Sequence, residues 1–163
     1  MMDVYTARLH PDGKRVLVIG LDPWAGAWFM IGDVETGETL LRYPLRSPFG
    51  ETAISEDGLL AVVTDPPPAL VMEGINGSGP AFFDLANLRH LKTLNESTGQ
   101  YVGMPGQARF LPGDREIALG PIADGSTESI LYIVDRATLT VNRRLRLPDS
   151  EPITGALGVG PRP

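Results

Sequence analysis

The strongest constraint on this chain is that it repeats itself three times. Asp33, Asp84 and Asp135 stand 51 residues apart, and each closes an apolar run that begins near residues 28, 81 and 130. Upstream of each run lies a second shared pattern, at 7–18, 53–63 and 108–119, in which a short strand meets a turn and a longer apolar strand follows. The turns read Pro11-Asp12-Gly13, Glu56-Asp57-Gly58 and Pro112-Gly113-Asp114. After each aspartate comes a more alternating, charged segment, at 39–43, 90–94 and 141–147. A repeat of this period folds as like units, each unable to bury its apolar faces alone, which cover one another by stacking. The units carry four strands each.

The second and third strands of each unit are continuous apolar runs, at 16–19, 28–31, 59–63 and 130–134. Strands look like this when both faces of their sheet are covered. The segments between strands are short and rich in Gly, Pro and Asp, with no sustained helical period, so the cover is expected from other sheets. Leu85, Leu88, Leu91 and Leu94 recur every three residues and admit a short helix. The repeat assigns turn and strand to that stretch instead. The fourth strands carry Arg and Lys, as water-facing edges do.

Four antiparallel strands per unit of this length, covered on both faces, describe a β-propeller blade. The Pro-Asp-Gly-Lys-Arg turn at 11–15 and the Asp-x-x-Thr-Gly turn at 33–37 resemble those of WD-repeat and YVTN-type propellers. The resemblance implies an all-β partial propeller: blades at about 4–45, 51–94 and 107–147, with the first strand of a fourth at about 153–163. Three blades do not close a ring. Their apolar flanks are expected to meet further blades of a longer chain, a second copy completing six blades, or another protein.

Composition narrows the partners. Fourteen basic against 20 acidic residues leave a net charge of -6, which repels nucleic acid and anionic membranes. There is no Cys, so disulfides, thiol catalysis and thiolate metal sites are excluded, while the redox compartment stays open. No run approaches the ~20 apolar residues of a membrane span, and the start lacks a secretory pattern. The expectation is a soluble chain, with the cytoplasm favoured. No phosphate-cradling glycine motif or metal-ligand spacing occurs, so no cofactor is expected. His10 and His90 have no catalytic neighbour in sequence and read as surface or turn residues.

In an up-and-down blade the short Asp-Gly and Thr-Gly turns share one end, and the longer segments share the other. The segments 20–27, 46–51, 65–79, 95–107, 120–129 and 148–154 fall at that second end, where binding residues tend to sit. The candidates there are Asp22, Trp24, Asp65, Met72, Glu73, Tyr101, Met104, Asp124 and Glu128. The turn aspartates Asp12, Asp57, Asp114, Asp33, Asp84 and Asp135 are expected to brace their own backbone. Trp28, Phe82, Phe83 and Phe110 read as core, and His10 and Arg109 as the channel-side groups. The leading expectation is a non-enzymatic scaffold or sensor segment that binds a protein or peptide. The alternative is a fragment of a propeller hydrolase or lactonase.

Overall fold

The structure is a computed structural model, described for residues 3–45, 48–64, 79–94, 106–120 and 129–147. Twelve strands run in chain order: β1 (Asp3–Leu9), β2 (Arg15–Asp22), β3 (Gly26–Asp33), β4 (Thr39–Leu45), β5 (Thr52–Ile54), β6 (Leu60–Val63), β7 (Ala81–Asp84), β8 (Arg89–Thr93), β9 (Gln107–Phe110), β10 (Glu116–Gly120), β11 (Ser129–Asp135) and β12 (Thr140–Leu147). They form three four-stranded sheets, each of four consecutive antiparallel strands in sequential order. No helix occurs among the described residues, and the leucine stretch at 84–94 is turn and strand. The expected first strand of a fourth blade lies outside the described residues.

Two apolar clusters sit between the sheets. Leu17, Ile19, Phe29 and Ile31 of the first sheet meet Ala61, Val63, Phe83 and Leu85 of the middle one. The middle sheet's other face, with Leu60, Val62 and Phe82, meets Ile117, Leu119 and Val134 of the third. The middle sheet shows the expected burial on both faces: all of β6 is buried, as are Ala81, Phe82 and Phe83 of β7. In the third sheet β10 is likewise buried on both faces, with Ile117 and Leu119 on one and Ala118, paired with buried Ile133, on the other. In the first sheet only one face is buried. Val16, Val18, Trp28 and Met30, on its other face, are half-buried. Trp28 is therefore not a core residue; Arg42 covers its ring, 3.8 Å above the centroid.

The turns close the sheets in the manner the repeat predicts, with one exchange. The amides of Gly13, Gly58 and Asp114 each bond the carbonyl three residues back. Gly13 and Gly58 take the left-handed conformation there, at φ 71° and 72°, which glycine adopts freely. In the third sheet Gly and Asp are swapped, so Gly113 takes φ 84° at the third turn position, as type II turns require, and Asp114 itself is left-handed at φ 55°. Asp33, Asp84 and Asp135 all accept amides from their own turns, at 2.8–3.0 Å.

Candidate functional site

The inner strands β1, β5 and β9 share a groove of about 510 Å³. Because the turn amides fix the register between repeats, its walls resolve into layers. Arg8, Ala53 and Arg109 are equivalent, each two residues before the carbonyl that closes the turn. Leu9, Ile54 and Phe110 form the next layer. Two guanidinium side chains thus flank a small central residue, with an apolar layer beside them. Arg109 is committed: it donates to the Ala108 carbonyl at 2.7 Å and pairs with Glu51 at 3.2 Å. Arg8 is exposed and has no partner among the described residues. Thr52, fully buried in the same wall, has a hydroxyl without a hydrogen-bond partner.

At the short-turn end, polar links lock neighbouring sheets. His10 is not a surface residue: it is 5% exposed, and its Nε2 donates to the Gly58 carbonyl at 2.7 Å. Its Nδ1 lies 2.8 Å from Asp12. A Cβ at residue 58 would come within 2.9 Å of the imidazole, so glycine there serves both the turn and the junction. Arg15 donates to the Leu85 carbonyl of the middle sheet. Burial raises the Asp12 carboxyl, but the Lys14 amide, His10 and Arg15 together hold it well below the usual carboxylate range.

Arg136 makes the corresponding link between the middle and third sheets, 2.6 Å from Asp57 and 3.5 Å from Asp114. Asp114 does not brace its own turn as expected. Displaced by the Gly-Asp exchange, its carboxylate accepts the amide of Glu56 in the next sheet at 2.5 Å. Desolvation works against the Asp57 carboxylate, yet Ser55, the Leu59 amide and Arg136 lower it to about 2.

Of the predicted contact residues, Asp22 and Trp24 are described. The segment 20–27 is no long loop: β2 runs to Asp22 and β3 resumes at Gly26. Continuous pairing through Asp22↔Gly26 leaves only a tight turn. Asp22 accepts the Trp24 and Ala25 amides at 2.9 and 3.2 Å, and the Trp24 amide chiefly holds its carboxyl below its usual value. Trp24 stands at the tip, 96% exposed. Asp65, Met72, Glu73, Tyr101, Met104, Asp124 and Glu128 lie outside the described residues. The groove instead involves Arg8 and Thr52, which the sequence reading passed over; aligning the three repeats would have placed Arg8 level with Arg109. Among the described residues no group of three His, Asp or Glu is placed to hold a metal.

No protein-family model matches the sequence, and no curated protein matches it significantly. Solved structures do match. Hydrazine synthase of Kuenenia stuttgartiensis is 14% identical at a TM-score of 0.68, over 88% of this chain and 37% of that one. The β-propeller domain of the Trilobed protease from Pyrococcus furiosus is 15% identical at a TM-score of 0.58, over 90% and 43%. TolB from Acinetobacter baumannii is 19% identical at 0.56, over 86% and 31%. The chain spans less than half the length of each. Three stacked four-stranded sheets, matched to propellers over most of the chain, make this a partial β-propeller.

Proposed function

We propose that this chain is a non-enzymatic propeller segment that binds a protein or peptide. The observation that carries the reading is the groove along β1, β5 and β9, where apolar side chains lie beside uncommitted polar groups on rigid strands. Such a mixture, with few polar groups fixing orientation, is what ligand clefts present. The turn signatures at 11–15 and 33–37 support a place among WD-repeat or YVTN-type propellers. The exposed flank of the first sheet supports completion by further blades. Leu9 and Val34 are 62% and 52% exposed there, whereas their equivalents in the middle sheet, Ile54 and Leu85, pack into the junction with the first sheet.

The test is to pan a displayed peptide library against the purified chain and map selected peptides by hydrogen exchange. The reading expects enrichment, with protection concentrated on β1, β5 and β9. Failure to enrich any peptide, or protection confined to other strands, would sink it. The competing reading, a piece of a propeller hydrolase or lactonase, instead predicts turnover of ester, lactone or peptide substrates by the purified chain.

A further inference from the structure

The channel-side layers specify more than a generic cleft. Arg8 and Arg109 occupy equivalent positions on the outer two of three inner strands, and the middle strand has Ala53 between them. Both arginines and Ala53 line the same groove. Arg109 already holds one carboxylate, that of Glu51, at 3.2 Å. Arg8, its counterpart, is exposed with no such partner, and an arginine fork is built for a planar two-oxygen acceptor.

Two further features narrow the ligand. Leu9, Ile54 and Phe110 also line the groove, one residue along the strands and on the opposite side of the pleat, and give it an apolar portion for a neighbouring side chain. Thr52, in the wall next to the arginine layer, is 0% exposed, with a hydroxyl that lacks any partner. A buried unpaired hydroxyl is costly and marks a place where a ligand atom completes the bonding. Two carboxylates also line the groove, Glu56 in the turn after β5 and Asp114; Asp114 is engaged by Arg136 and by the Glu56 amide. A polyanion is disfavoured by the chain's net charge of -6; a single carboxylate is not.

We propose that this layer is a carboxylate site: Arg8, aided by Arg109 and Thr52, receives one carboxylate of a bound peptide whose neighbouring apolar side chain lies on Leu9, Ile54 and Phe110. The inference rests on the peptide-binding reading and specifies its ligand. The carboxylate can be a chain terminus or an acidic side chain, and the test separates the two.

Three fluorescein-labelled pentapeptides are titrated by fluorescence polarisation. One ends in leucine with a free carboxylate, the second is its neutral C-terminal amide, and the third is amidated with an internal glutamate next to leucine. The expectation is that at least one carboxylate form binds tenfold or more tightly than the neutral amide, and which one identifies the source. Arg8→Gln should abolish that difference while its circular dichroism stays unchanged. Arg109→Gln should reduce it, and added salt should weaken it. Equal affinity for all three peptides, or an unchanged preference in Arg8→Gln, overturns the carboxylate site and leaves the peptide-binding reading standing. So does failure of all three to bind a chain that still binds panned peptides, whereas failed panning overturns both.

Discussion

Four residues after Asp33, Asp84 and Asp135 the backbone turns left-handed in every sheet. The first sheet has Gly37 there at φ 72°, but the others have Leu88 and Leu139, both at φ 50°. A branched aliphatic residue in this region is strained by about 1–2 kcal/mol. Both leucines are held there by packing: Leu139 is buried between the middle and third sheets, and Leu88 packs against the first cluster. Burial of a leucine, about 1.5–3 kcal/mol, outweighs the strain. At an ordinary site glycine is about 0.5–1 kcal/mol worse than alanine. At residue 139 we expect Leu139→Gly to be no less stable than Leu139→Ala, each losing about 2–3 kcal/mol by urea unfolding. A glycine variant clearly worse than the alanine one would show that the leucine is not strained. Nothing in the local sequence reveals this exchange, since a leucine at a turn reads as strand until the repeat is aligned.

The elements are joined by two different devices, apolar faces and turn-to-turn polar links. For the faces, Val63 and Val18 occupy equivalent positions in the middle and first sheets, yet only Val63 is completely buried. In dilute solution, Val63→Asp should cost more than about 4 kcal/mol and abolish folding, because an unpaired charge would lie between sheets. Val18→Asp should cost only about 1–2 kcal/mol on the less covered face. Equal losses in thermal unfolding would show that both faces of the first sheet are covered. For the polar links, the Asp57 carboxyl sits at about 2 against an ordinary 3.8. A carboxyl lowered on folding stabilises the native state above its unfolded value and loses that effect as pH falls through its folded value. The melting temperature should therefore fall between about pH 4 and pH 2, and Asp57→Asn should flatten that part of the profile. An identical slope in the variant would mean the link between the middle and third sheets adds nothing. His90 acts higher in the scale: burial against Tyr43 and Phe83 lowers its imidazole, so its loss begins as pH drops below 6.5.

On the scale of the molecule, three sheets in sequence leave the first with an apolar flank, including Leu9 and Val34, beside which no described strand lies. Exposed patches of this kind mark interfaces. We expect the chain to self-associate with rising concentration on a sizing column, and the double change Leu9→Glu and Val34→Glu to shift it toward monomer. Association unaffected by both charges would place the contact elsewhere. The all-β class, the four-strand unit and the bracing by Asp33, Asp84 and Asp135 were legible in the sequence, because strand period and turn chemistry are local and were written three times over. His10, Trp28 and Asp114 were not, because each one's environment is set by a neighbouring sheet: His10 by a carbonyl 48 residues away, Trp28 by the absence of a covering strand among those described, and Asp114 by an amide 58 residues away. The groove belongs to the same class. Arg8 and Arg109 lie 101 positions apart in the chain, and only stacking of the sheets brings their strands to either side of the one that carries Ala53.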